Sequence, residues 1–179
     1  MSKKMGIIRG HRFHGDPNRF QVLADYIAEK YKGRVEAIAD VAGGQGMLTK
    51  ILHKKYNFDA EVIDTREYVL RGVKFRRAEY KTEMADYYDL VIGLHPDEAT
   101  KAVAESALVR PTIIIPCCNF WDRKRKLGRD ALLEEIGQYF KQNSIKFKKV
   151  KFDFEGPKNV GLVSEPSIGE NKSYRSCQR

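Results

Sequence analysis

Ala39-Asp40-Val41-Ala42-Gly43-Gly44-Gln45-Gly46-Met47-Leu48 closes an apolar run and opens a helical one, and the fold turns on how this junction is read. Glycines at such a bend take up positive φ, which a β-carbon penalises, and let the backbone come close to whatever lies beside it. Before the bend, Val35 to Val41 is apolar and strand-length. After it, Leu48, Ile51, Leu52 and Tyr56 recur at helical spacing, and Ala60 to Asp64 is a second strand. Two strands and one helix within so short a span predict parallel pairing through a crossover.

The alternation continues in both directions. Upstream, Asp16-Pro17 opens a helix with Phe20, Leu23, Ala24, Ile27 and Tyr31 on one face, and Gly33 ends it. Downstream come strands at Val73 to Ala78 and Tyr88 to Leu94, a helix from Pro96 to about Leu108 with Ala99, Ala102, Val103 and Ala107 inward, and a strand at Thr112 to Pro116. DLVIGL and TIIIP lack polar alternation, as central strands covered on both faces do. A helix from Asp130 to Asn143, with Leu132, Leu133, Ile136 and Phe140 inward, precedes strands Ile145 to Phe154 and Asn159 to Ser164. The EGPKN turn between them is too short for a parallel crossover, so this final pair is antiparallel. The class is α/β, a central mostly parallel seven-stranded sheet with helices on both faces. Its organisation is a basic segment 1–15, a domain 16–165 and a polar tail 166–179.

The bend and the strand after it suit a nucleoside. Asp64, at the carboxyl end of the second strand, is placed to accept hydrogen bonds from the two hydroxyls of an adenosine ribose. A dinucleotide fingerprint GxGxxG read from Gly44 and Gly46 needs glycine where Thr49 stands, and no GxxxxGK(S/T) phosphate loop occurs. Asp40, Ala42, Gly44 and Gly46 resemble the first motif of class I, Rossmann-like methyltransferases, an acidic residue followed by alternating small ones. Ala42 replaces the commoner glycine. The resemblance implies S-adenosylmethionine as cofactor. Asp40 would orient the loop or meet the cofactor's amino group, and Gly43, Gly44, Gln45 and Gly46 would face its methionine part. Asp64 would hold the ribose, with Thr65 and Arg66 on the adenine side and Gly93 and Leu94 across the crevice. Glu79 is either a partner for the adenine amino group or a solvated charge.

Two strand ends should form the reacting rim: Gly93-Leu94-His95-Pro96-Asp97 and Pro116-Cys117-Cys118-Asn119-Phe120-Trp121. Methyl transfer from a sulfonium is a displacement, so the protein aligns the acceptor and helps remove its proton. His95 is a candidate base or a structural histidine. Asp97 is catalytic or simply favoured in a first helical turn. Cys117 is a nucleophile toward a pyrimidine ring or a small thiol packed under the cofactor. A metal on His95, Cys117 and Cys118 is conceivable, but adjacent cysteines make poor tetrahedral partners, and no structural metal is expected. The histidine and the Cys-Cys pair resemble the methyltransferase family that includes the tRNA acceptor-stem ribose 2′-O-methyltransferase. Here Pro96-Asp97 replaces the usual Cys-Gly, and zinc-finger cysteines are missing.

Charge points to the acceptor. The chain carries a formal +9, which favours an anionic partner through counterion release. Phe120, Trp121, Arg123, Lys124, Arg125 and Lys126, with Cys118, follow the rim, and aromatics beside cations suit unpaired RNA bases and phosphates. RNA (tRNA or rRNA) is therefore the expected partner, methylated at a hydroxyl or amine acceptor; a protein or small-molecule acceptor, or RNA binding without catalysis, are the alternatives. A second basic group, Lys3, Lys4, Arg9, His11, Arg12 and His14, precedes the first helix. No apolar run reaches membrane-spanning length, the lysines at the N-terminus lack the apolar core of a secretory signal, and the three cysteines form no disulfide pattern. A cytoplasmic location without membrane contact is expected. So short a chain has room for a homodimer or partner protein to complete recognition.

Overall fold

The computed structural model describes residues 15–67 and 69–165. The N-terminal basic group, Tyr68, Cys177 and the tail from 166 lie outside the described residues.

Apolar spacing of three and four folds Arg19–Tyr31 into α1, whose Phe20, Leu23, Ala24, Ile27 and Tyr31 are all buried. The helix starts after Asp16-Pro17, because the Asp16 carboxylate accepts from the Asn18 N–H at 2.8 Å in a turn that precedes it. The bend then joins β1 (Ala37–Val41) to α2 (Met47–Tyr56), followed by β2 (Asp59–Asp64) and the short β3 (Phe75–Arg77). After a 3-10 turn, Thr82–Tyr87, come β4 (Leu90–Leu94), α3 (Thr100–Ser106), β5 (Thr112–Ile115), α4 (Arg129–Gln142), β6 (Lys146–Lys151) and β7 (Val160–Glu165).

The expected single helix from Pro96 to Leu108 is corrected. Asp97–Ala99 is a 3-10 turn and only Thr100–Ser106 is α-helical. His95 (φ 58) and Asp97 (φ 45) are both left-handed, so the chain cannot enter an α-helix until it has passed them.

The strands form one seven-stranded sheet in the order β3-β2-β1-β4-β5-β7-β6. All the pairings from β3 to β5 are parallel, and β7 runs antiparallel to both β5 and β6. Alternate residues of each central strand feed opposite cores. Ile38, Ile92 and Ile113 join α1 and α2 on one face, while Ala39, Val91 and Ile114 join α3 and α4 on the other. Each fully buried Leu or Ile contributes on the order of 1.5–3 kcal/mol of transfer free energy. From β1 the chain winds outward to β2 and β3, then returns to β4 on β1's other side. That reversal makes the carboxyl ends of β1 and β4 the topological switch point, where open parallel sheets bind ligands.

Candidate functional site

The bend follows β1 at this switch point. Ala42, Gly44 and Gly46 all have positive φ (54, 60 and 78), and Gly43 has no room for a side chain. A β-carbon there would stand 2.5–2.7 Å from the carboxylate atoms of Asp40. Asp40 is 1% exposed and accepts the Thr49 hydroxyl at 2.8 Å, tying the bend to the first turn of α2. Burial pushes its pKa up to about 6, and the nearby Asp64 charge adds to the rise, against hydrogen bonds from the Thr49 hydroxyl and backbone.

Asp64, at the end of β2, reaches back under the bend. Its Oδ2 accepts the Gly44 N–H at 2.9 Å and Nη2 of Arg66 at 2.7 Å; its Oδ1 accepts the backbone N–H and Nε of Arg66, both at 2.9 Å. Burial works against the charge, but these hydrogen bonds outweigh it and hold the carboxyl below its ordinary value. The Arg66 guanidinium also donates to the Ala42 carbonyl at 3.3 Å, so it lies across the bend. Thr65 and Glu79 are exposed beside this corner. Across it, Leu94 is buried, and a β-carbon on Gly93 would stand 3.0 Å from Pro96 and Val103.

At the rim, His95 Nε2 lies 3.1 Å from the Lys158 carbonyl oxygen. A carbonyl only accepts, so Nε2 carries the proton and Nδ1 the lone pair. Burial lowers the imidazole pKa, with the Arg19 and Lys158 charges adding, so the ring is neutral at pH 7. The Cys117 thiol donates to Asp97 Oδ1 at 3.1 Å. Burial and that carboxylate push the thiol pKa up, which keeps it protonated. Cys118 is exposed, with the Lys158 ammonium 3.8 Å from its sulfur.

The segment after the rim is divided. Arg123 stacks over the Phe120 ring at 5.0 Å and pairs with Glu98, while Arg125 pairs with Glu135. Lys124 and Lys126 are exposed. Trp121 and Phe120 are both half-buried, Trp121 edge-on to Tyr139 at 5.5 Å.

The residues that sequence reasoning missed come from the β6–β7 turn and the start of α1. Asp16 accepts the Glu155 N–H at 2.8 Å, folding that turn against α1 and carrying the Lys158 carbonyl to His95. Arg19 is 8% exposed, donates to the Asp16 carbonyl at 2.9 Å and contributes charge near His95. These contacts join residues far apart in the chain, and no local pattern announces them. Beside them lies an open cleft of about 1000 Å³, lined by Asp16, Asn18, Phe152, Asp153, Phe154 and Asn159 among others.

No family model matches the chain, and no curated protein matches it. Solved structures do. The methyltransferase domain of the bacterial protein CtHen1-CN superposes with a TM-score of 0.58 at 12% identity, covering 80% of this chain and 98% of that one. The ribosomal protein L11 methylase of Lactobacillus delbrueckii subsp. bulgaricus gives 0.52 at 15% identity, over 83% and 79% of the two chains. The Burkholderia thailandensis 1,6-didemethyltoxoflavin-N1-methyltransferase, solved with S-adenosylhomocysteine, gives 0.53 at 15%, over 84% and 80%. At these identities the likeness establishes the fold. It is Rossmann-like and shared with methyltransferases, as the first motif implied.

Proposed function

We propose that this chain is an S-adenosylmethionine-dependent methyltransferase with RNA as its acceptor. The observation that carries the reading is the meeting of the glycine bend and a buried carboxylate, Gly44 N–H to Asp64 at 2.9 Å, at the switch point of a methyltransferase-type fold. The residues fit the cofactor: Gly44 is left-handed, only the Arg66 guanidinium stands within 4 Å of where its β-carbon would be, and Asp64 offers acceptor-only oxygens suited to a diol. Bound there, S-adenosylmethionine supplies an electrophilic methyl group. The Gly43 to Gly46 backbone would hold its methionine part and Asp64 its ribose once Arg66 swings aside, with Thr65 and Glu79 at the adenine edge.

This chain's own chemistry is alignment and proton removal. Neutral His95, fixed by the Lys158 carbonyl through Nε2, presents Nδ1 as a base toward a hydroxyl or amine. A protonated Cys117 suits a thiol that orients Asp97 better than it suits a nucleophile. Support for RNA comes from Phe120 and the basic run through Lys126, which leave the rim directly. Transfer of labelled methyl groups from the donor to fractionated RNA and protein tests the reading. Uptake into RNA that falls when Arg123, Lys124, Arg125 and Lys126 are neutralised is the expected result; uptake by neither fraction overturns it. The cleft beside the β6–β7 turn favours a second reading. Its Asp16, Asp153 and Glu155 repel phosphate and suit a small, hydroxyl-bearing or cationic acceptor; methyl uptake by small molecules alone would select it. A cytoplasmic setting and a second copy or partner that extends RNA recognition complete the proposal.

A further inference from the structure

We infer that Asp97, Cys117 and Cys118 form a binding site for a thiophilic divalent cation, zinc foremost, at the reacting rim. One carboxylate oxygen and two thiol sulfurs, one from each residue, all lie within 4.8 Å of one another. They arrive from two different strand ends: Asp97 follows β4, and the cysteines follow β5. His95, the third donor considered from the sequence, keeps its Nε2 on the Lys158 carbonyl, and Asp97 stands in the cluster in its place.

The donor chemistry selects the ion. Two sulfurs with one oxygen suit zinc or cobalt and not magnesium or calcium, which take oxygen sets. Three protein donors leave a fourth position open, the arrangement of catalytic rather than structural zinc. Adjacent cysteines are a poor pair for a tetrahedral ion in general, but here both sulfurs already stand within 4.8 Å of each other and of the Asp97 oxygen. Binding exchanges protons for metal. Both thiols lose their protons to solvent, the Cys117 hydrogen bond to Asp97 is replaced by a sulfur bond and an oxygen bond to the ion, and Cys118 sulfur bonds it as a thiolate. Lys158, 3.8 Å from that sulfur, offsets the negative charge. On the methyltransferase reading above, the open position takes the acceptor oxygen, which the cation polarises as a Lewis acid.

Zinc and cobalt titrations of the full chain, without methyl donor, test the site. About one ion per chain should bind, with the visible thiolate-to-cobalt absorption that oxygen ligands do not give. Cys118→Ser and Asp97→Asn should weaken zinc by more than the roughly 10–100-fold that loss of an outer partner costs. Both side chains are exposed, so these variants should melt as the parent does. Cys177→Ser should bind fully, and excess magnesium should not compete. Undiminished binding in Cys118→Ser, loss in Cys177→Ser, or no thiolate absorption overturns the inference. Donor affinity, measured separately by calorimetry, tells failure of this site from failure of the methyltransferase reading.

Discussion

Asp64 has two oxygens and four hydrogen-bond donors on them, three of the four from Arg66. A ribose diol can therefore reach the carboxylate only by displacing the guanidinium, whose side chain is 62% exposed and able to leave. Arg66→Met keeps an aliphatic stem and removes the competitor. It should tighten S-adenosylmethionine binding about two- to five-fold, the ~0.5–1 kcal/mol that a largely exposed ion pair is worth, whereas Asp64→Ala should abolish measurable binding by calorimetry. Weakening by Arg66→Met would show that the guanidinium itself holds the donor. Asp40 makes a different demand. Its folded pKa of about 6 stands above the unfolded value of 3.8, so between those pH values the folded chain binds more protons than the unfolded one. Stability from this group is present at the acid end and is lost as pH rises through about 6, a cost of about 3 kcal/mol at neutrality. In denaturant melts, Asp40→Asn should therefore gain stability over the parent at pH 7 and lose that advantage near pH 4.

At the scale of elements, β6 is an edge strand, and Lys146, Lys148, Lys149 and Lys151 line it, all exposed. Charges on an edge discourage pairing with another sheet. Replacing Lys146, Lys149 and Lys151 with threonine should leave the melting point nearly unchanged and produce concentration-dependent association in light scattering; a monomer at every concentration would refute this role. Elements also show what the sequence could tell. α1, α4 and the strands β1, β4 and β5 were legible because their burial is written as periodicity or as unbroken apolar runs. The 3-10 turn at Thr82–Tyr87 was not, since its anchors are single distant hydrogen bonds: Tyr80 to Ser106 at 2.8 Å and Tyr88 to Glu61 at 2.5 Å flank it. The start of α3 was misplaced because two left-handed residues beside Pro96 look, in sequence, like an ordinary first turn.

Over the whole molecule, the bend and its carboxylate were readable because each lies at a strand end that local pattern predicts. The rim was half readable: His95, Asp97 and the cysteines stand out as residue types, while Lys158, Asp16 and Arg19 reach it only through tertiary folding. The 33 Lys and Arg are also less available than their count suggests, since Arg123 and Arg125 already pair with Glu98 and Glu135. Each phosphate contact contributes about 0.7 to the salt slope of single-strand binding, so neutralising residues 123–126 should lower that slope by about 1.4, not the roughly 2.8 of four free cations. Filter binding across a salt series reads the difference.

The insertion of β7 between β5 and β6 has a consequence for synthesis. Chains grow from the N-terminus, and here the last of the described strands to be made is the one that must enter between two made before it. Until it does, β6 has no neighbour in the sheet and the Lys158 carbonyl is not held beside His95. A chain that stops short of β7 can thus form the glycine bend and Asp64 while lacking the contact that holds His95, and on the proposed reading its methyl transfer waits for β7 to dock.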